Sequence, residues 1–332
     1  MTGNRVNGVD IAVLVDAETG AHDARGEFEL ERGTMEWQVV QELAREHARI
    51  RVLPFDASIT PTVEALRDAK PSLVFNLTEW VAGDRRLDSA IAGMLDMMRL
   101  RYTGSGPDAM QIARDKALAK RIVSELGVAV APHTLVNGRR PRAGTLRYPV
   151  FVKPQYGDGS DEIGTASLVK SDAELARRLA SIRRRRSDAL MCEQFVGGRD
   201  LFVALLGNEP RVMPPLELVV GRSGRGAPSF ATDRIKTDAR YRSKWRVRYR
   251  VPKLAPEVAR HIEDASRRIF HALKLRDYAR VDYRLTPENE LVFLEANPNP
   301  DLTRHTFGRD RCFAGVPYPE LISTIVRSAL ER

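Results

Sequence analysis

Apolar residues in this chain come in short bursts separated by stretches of helical periodicity. Residues 10–15 (DIAVLV) carry one acid and then an unbroken apolar run, the pattern of a strand buried on both faces. A polar stretch reaches Gly33, and residues 34–48 then place apolar side chains at helical spacing. Residues 49–55 (RIRVLPF) alternate, residues 61–69 predict a helix with Thr60 as its N-cap, and residues 71–77 (PSLVFNL) predict a further strand. A helix over 87–98 runs into the turn cluster Tyr102-Thr103-Gly104-Ser105-Gly106-Pro107. Strands alternating with helices imply a parallel sheet with helices on its faces, the α/β class.

A second unit opens with a helix over 108–126, closed by Gly127, and continues through extended residues 128–136 and a basic loop to a strand at 149–153. A Gly-rich loop at 156–164, a strand at 165–169, a helix from Asp172 ending in four arginines (183–186) and a strand at 189–193 complete a small α+β unit. Strands at 200–206 and 211–220 begin the third unit. A polar, basic stretch from 221 to 250 then carries little periodic signal, as a long functional loop does. A helix over 256–273, two strands at 278–285 and 290–295 joined by the turn Thr286-Pro287-Glu288-Asn289, and a helix over 319–330 finish the chain. The expected division is 1–107, 108–196 and 197–332.

Composition narrows the classes. The 332 residues exceed what one small core serves, roughly 100–200 residues per domain being usual. Two cysteines, Cys192 and Cys312, rule out a disulfide framework and a four-cysteine metal site, and suit a reducing compartment. No apolar run reaches the ~18–20 residues of a membrane span, so a cytoplasmic location without membrane contact is expected. With 53 Lys+Arg against 44 Asp+Glu the net charge is +9, which admits nucleic acid or a phosphorylated small molecule as partner.

Three clusters carry candidate chemistry. In Arg280-Val-Asp282 and Leu294-Glu295-Ala-Asn297, alternation puts Arg280 with Asp282 on one strand face and Glu295 with Asn297 on that of its neighbour. Two carboxylates and an amide oxygen suit a hard cation such as Mg²⁺, with Mn²⁺ as a substitute. Lys153-Pro154 leaves a strand ahead of Gly157-Asp158-Gly159-Ser160, a loop whose N–H groups and lysine can cradle a phosphate, although neither phosphate-loop nor dinucleotide fingerprints are matched. Glu193-Gln194-Phe195-Val196, followed by Asp200, is a linker able to read an adenine edge and ribose hydroxyls.

In this order, with Phe75-Asn76-Leu77 and Tyr102-Thr103-Gly104-Ser105 before Asp115-Lys116, the motifs resemble the ATP-grasp enzymes and, among them, the D-alanine–D-alanine ligase family, from Val74 to the C-terminus. The resemblance implies an α/β (α+β) ATP-grasp fold, in which the central and C-terminal units clasp ATP. It further implies an ATP-dependent ligase joining a carboxylate to an amine through an acyl phosphate, acting on amino acids as a homodimer. By it, Lys116 and Lys153 contact phosphates, Glu193, Gln194, Phe195 and Val196 bind adenine, Asp200 binds ribose, and Asp282, Glu295 and Asn297 hold the metal. Arg280 stabilises the tetrahedral intermediate, Lys236 covers the γ-phosphate, Ser160 helps hold the first amino acid, and Thr306 meets the second substrate's carboxylate.

The departures concentrate on the amino-acid side, beside one in the phosphate loop, where Gly157-Asp158-Gly159-Ser160-Asp161-Glu162 replaces the family's Glu-Gly-Ser-Ser with a one-residue insertion. Leu77-Thr78-Glu79-Trp80 replaces a His-Gly pair, Asp301 stands where a glycine is usual, and the N-terminal glutamate of the family is represented only by the candidates Glu31 and Glu36. Thr78, Glu79, Trp80, Asp301, His305 and Thr306 are therefore the candidate substrate residues. This leaves open a ligase or cyclase acting on a different amino acid. A regulator that binds nucleotide or RNA is the non-enzymatic alternative, because residues 240–250 (RYRSKWRVRYR) interleave cations with aromatics. A loop covering the substrate is the favoured reading of that stretch, and nucleic acid is not the expected partner.

Overall fold

The computed structural model describes residues 9–47, 49–136, 145–156, 163–184, 189–224, 227–304, 313 and 315–332, without the Lys236 side chain. The first unit runs β1 (Ile11–Asp16), the hairpin β2 (Gly20–His22) and β3 (Phe28–Leu30), α1 (Met35–Glu46), β4 (Ile50–Phe55), α2 (Ile59–Ala69), β5 (Leu73–Asn76) and α3 (Asp88–Met97). Its parallel sheet has the order β4-β1-β5. The unbroken apolar run of β1 is explained by burial on both sides. Ile11, Val13 and Val15 share a core with Val39 and Leu43 of α1, whereas Ala12 and Leu14 pack with Leu66 of α2 and Ile91 and Leu95 of α3. Thr34 caps α1, accepting from Trp37 N at 3.2 Å. The expected cap Thr60 is corrected: α2 starts at Ile59, Thr60 lies inside it, and Pro61 is tolerated in the first turn, where N–H groups have no helical partner.

The helix expected over 108–126 is two helices, α4 (Pro107–Arg114) and α5 (Lys116–Glu125). Asp115 breaks them: its backbone is extended (φ −83°, ψ 94°), and its carboxylate accepts from Ala117 N and Leu118 N. Extended residues 128–136 also divide, at Pro132, into β6 (Ala129–Val130) and β7 (His133–Val136), which join different sheets. β7, β8 (Val150–Pro154), β9 (Leu168–Val169) and β10 (Leu190–Gln194) form a sheet of order β7-β10-β8-β9, with a 3-10 turn at Thr165–Ser167 in place of the start of the expected strand. α6 (Asp172–Arg183), capped by Ser171, packs Leu175, Leu179 and Ile182 on this sheet. Cys192 is a fully buried member of that core, and burial pushes its thiol up to about 11.

The third unit comprises β11 (Arg199–Leu206), β12 (Arg211–Val212), β13 (Leu216–Val220), α7 (Asp233–Thr237), α8 (Ala239–Trp245), β14 (Val247–Arg250), α9 (Pro256–Ala272), β15 (Tyr278–Leu285), β16 (Leu291–Asn297) and α10 (Tyr318–Leu330). The sheet order is β14-β13-β11-β15-β16-β6, with β12 on β11. The strand expected at 211–220 is interrupted at Pro214-Pro215, which have no N–H to donate to a ladder. From Asp233 onward the basic stretch forms α7, α8 and β14 instead of a loop. Tyr241, Trp245 and Tyr249 are buried in the main core, and Glu217 binds both Arg199 and Arg250 at 2.9 Å. These three aromatics of residues 240–250 are therefore packed away from solvent and cannot stack on the bases of a nucleic acid. Leu201, Val203 and Leu205 of β11 and Ala279, Val281 and Tyr283 of β15 share a core with α9, while the opposite face carries Phe202, Ala204 and Leu206 of β11 in the main core and the polar Arg280, Asp282 and Arg284 of β15. α10 packs on α1, β5 and β11, joining the first and third units in one core. Among the described residues no helix is long and apolar enough to cross a membrane.

Candidate active site

The break at Asp115 has a positional consequence. Lys116 N donates to Gln155 O at 3.2 Å, and Asp115 bridges Tyr156, so the start of α5 is pinned to the end of β8. That brings Lys116 beside Glu295, which lines the same cleft as Lys153, although the two lysines are 37 positions apart in sequence. Lys153 Nζ lies 2.7 Å from Glu193 Oε1, and Lys116 Nζ lies 3.6 Å from Glu295 Oε2. A third lysine, not singled out from sequence, completes the cluster. Lys120 is fully buried, donates to Phe293 O at 3.0 Å and stands 3.3 Å from Glu193 Oε2, at ion-pair distance but without hydrogen-bond alignment. Burial lowers the Lys120 pKa, partly offset by Glu193. For Glu193 burial works upward, but the two lysines outweigh it and hold the carboxyl below its usual range. Lys120 follows Lys116 by four residues, one helical turn, which was the available signal.

Behind this cluster opens a cleft of about 720 Å³, reckoned out to its mouth, between the central sheet and the seven-stranded one. Lys153, Glu193, Gln194, Phe195, Val196, Asp200, Asp282 and Glu295 all line it. Its far wall is aromatic: Phe230 meets Phe151 edge-on at 4.9 Å and Phe195 at 6.2 Å between ring centroids, and Phe151 stacks near Phe195. Phe151 and Phe230 were not anticipated, because neither lies in a polar motif. Gln194 Oε1 accepts from Arg147 N at 2.9 Å, so that oxygen is engaged across the linker. Asp200 is paired with Arg284 at 3.0 Å and accepts from Ala231 N at 3.0 Å, with burial raising its pKa against the pull of Arg284.

The third part lies on the paired strands β15 and β16. Asp282 stands opposite Glu295 and Arg280 opposite Asn297. Between Asp282 and Tyr283 the register shifts, so Tyr283 faces Phe293 in the core while Leu294 and Glu295 both reach the cleft. Arg280 holds Asp282 with two hydrogen bonds, Nε to Oδ1 at 2.7 Å and an NH2 to Oδ2 at 3.0 Å, and stands 5.6 Å over the Phe202 ring. Among the described residues no three His, Cys, Asp or Glu side chains gather to hold a metal by themselves. The donor set nevertheless fits an oxygen-seeking cation. Asp282 and Glu295 are directly opposed, Asn297 two residues beyond on β16 has an amide oxygen of the same hard type to offer, and phosphate oxygens supply the rest of such a shell.

A second, more open cleft is lined by Asp16, Glu18, Thr19, Met35, Glu36, Glu79, Trp80, Arg85, Asp301 and Thr303. Here the substrate candidates Glu79, Trp80 and Asp301 meet Glu36, whereas Glu31 is exposed outside it. Asp16 accepts from Glu79 N and Trp80 N at 3.0–3.2 Å, and burial, reinforced by Glu18 and Glu36, pushes its carboxyl up to about 7. Burial likewise raises Glu36, with Asp301 adding to it. Arg85 pairs with Glu79 and stands 5.0 Å over the Trp80 ring. Asp301 is occupied with the N–H and hydroxyl of Thr303, and Thr78 with Asn76. Ser160, His305 and Thr306 lie outside the described residues; Lys236 is on α7, its side chain outside them.

Two sheets clasping a lysine-edged cleft, with paired acids on the floor, define an ATP-grasp protein. The model of the D-ala D-ala ligase C-terminus matches residues 123–327, and the chain belongs to that family. It is 30% identical over 289 residues to the uncharacterized protein y4sG of Sinorhizobium fredii, covering 83% of this chain and 82% of that one. The D-alanine–D-alanine ligase of Desulforudis audaxviator is 29% identical over 297 residues, covering 87% and 91%. The Bacillus anthracis D-alanine–D-alanine ligase complexed with ATP shares the fold, with a TM-score of 0.73 at 18% identity over 98% of each chain.

Proposed function

We propose that the chain is an ATP-dependent ligase that joins a carboxylate to an amine, with amino acids as substrates. The observation that carries this reading is the convergence of Lys116, Lys153, Asp282, Glu295 and the phenylalanine-walled pocket on one cleft. Phe151, Phe195 and Phe230 would take the adenine face, Glu193 to Val196 its edge, and Asp200 the ribose. Lys116 and Lys153 would bind the phosphates, with Lys236 over the γ-phosphate. Asp282, Glu295 and Asn297 would hold Mg²⁺, or Mn²⁺, which when bound neutralises phosphate oxygens during transfer.

The γ-phosphoryl group passes to a substrate carboxylate oxygen, giving an acyl phosphate and ADP. The amine lone pair of the second substrate then attacks the acyl carbon, and collapse of the tetrahedral adduct expels phosphate, leaving an amide after loss of one amine proton. Arg280, held rigidly on Asp282, would face the oxyanion of that adduct. Ser160 and Thr306 are assigned to the two amino acids by the family pattern, and Thr78, Glu79, Trp80, Asp301 and His305 to the substrate side. The 1–107, 108–196 and 197–332 division, the homodimer and the cytoplasmic setting belong to the same proposal.

The test is ADP release by purified protein over a panel of single and paired amino acids that includes D-alanine. Release that depends on an amino acid, with a product lighter by one water than its two parts, supports the ligase. ATP binding without such release under any pairing overturns it.

A further inference from the structure

Lys120 has no place in the scheme above, since a fully buried side chain cannot touch a ligand, yet it is built into the centre of the site. Glu193 is shared between two lysines: Lys153 takes Oε1 at 2.7 Å from the cleft side, and Lys120 stands 3.3 Å from Oε2 on the side of β16. Lys120 is held there by Phe293 O at 3.0 Å and lies 5.7 Å over the Phe293 ring. The three side chains are each at most 6% exposed, so their charges are weakly screened and must be counted together. Two lysines and one glutamate give the cluster a charge of +1, and an arriving phosphate anion is met by that excess. Without Lys120 the Lys153–Glu193 pair is already neutral, and the phosphate would add an uncompensated negative charge to a buried setting.

We propose that Lys120 is a positioning residue that balances Glu193 from behind, so that the charge of Lys153 is available to a nucleotide phosphate. This rests on the nucleotide-site reading given above. It separates two kinds of ligand: ADP, whose phosphates meet Lys153, depends on Lys120, whereas adenosine, which has none, does not.

The experiment is calorimetric titration of the full-length protein with ADP plus Mg²⁺ and, separately, with adenosine. In Lys120→Met the ADP affinity is expected to fall about tenfold or more relative to adenosine, while Lys120→Arg, which keeps the charge, retains most of it. Removing the opposing charge as well, in Lys120→Met/Glu193→Gln, is expected to restore the ADP-to-adenosine ratio to near its original value. If Lys120→Met does not fold, Glu193→Gln and the double variant are compared instead, and the same roughly tenfold difference in that ratio is expected between them. Equal losses of ADP and adenosine binding, or no recovery in the double variant, would show a purely structural lysine and overturn the proposal. Wild-type protein that binds neither ligand would instead overturn the nucleotide site itself.

Discussion

The two clefts of this molecule are built differently. The nucleotide cleft is walled by strands: β8, β10, β11, β15 and β16 each contribute side chains whose direction is set by the pleat and by pairing with neighbours. The acidic cleft is walled by Asp16 at the end of β1 and largely by segments outside the regular sheets, residues 18–19, 79–85 and 301–303, joined by the start of α1. Strand-borne groups are fixed by the fold, whereas loop-borne groups can change without altering it. Most departures from the ligase family, those at Leu77-Thr78-Glu79-Trp80 and Asp301, fall on the second kind.

The largest expected effect tests the strand-built half. Lys153→Ala or Glu295→Ala should lower amino-acid-dependent ADP release by about 10²–10³-fold or more, with the fold retained as judged by circular dichroism. Substantial activity in either variant would separate the cleft from the reaction. Asp282→Ala should do the same and also destabilise the protein by about 3–5 kcal/mol in urea unfolding, since it leaves Arg280 buried without its bidentate partner. A stability loss no greater than that of Glu295→Ala would contradict the pairing.

Phe230→Leu keeps an apolar side chain in the wall but removes the ring. Its KM for ATP is expected to rise roughly tenfold, with little change in KM for the amino acids, as befits a base-stacking contact worth about 1–3 kcal/mol. A rise confined to the amino-acid KM would move the adenine elsewhere.

The acidic cleft predicts a pH effect. Asp16 titrates near 3.8 when unexposed to the fold and at about 7 within it, so the folded chain keeps a proton that the unfolded chain has released between those values. That contribution to stability is present below pH about 4 and is lost as pH rises through about 7. Asp16→Asn should therefore gain in stability relative to the parent as pH increases across this window, measured by urea unfolding at several pH values. A constant difference would show that Asp16 does not titrate there. The smallest effect is expected for Trp80→Ala, whose side chain is 40% exposed. Losing its contact with Arg85 should cost no more than about 1 kcal/mol, while the KM for an amino acid shifts.

The contrast also governs what the sequence disclosed. The opposition of Asp282 and Glu295 could be anticipated because strand alternation is local and a short turn set the hairpin. The bulge that turns Phe293 inward and Glu295 toward the cleft could not, since simple alternation puts residues two apart on one face. Lys120 was hidden for a related reason: its partners Glu193 and Phe293 are distant in sequence, and a lysine on a helix reads as solvated by default. In residues 221–250, arginines masked three aromatics that anchor the segment in the core, so the stretch read as a loop. Asp16 joined the acidic cleft only through the turn that delivers the N–H groups of Glu79 and Trp80 to its carboxylate.

The central claim is that the strand-built cleft activates a carboxylate by phosphorylation. The most direct measurement uses the amino acid that supports ADP release, labelled with ¹⁸O in its carboxylate, and determines the isotope content of the phosphate set free. The account predicts one ¹⁸O atom in each phosphate formed with the amide, because the oxygen that attacks phosphorus leaves with it. Unlabelled phosphate accompanying amide formation would contradict it.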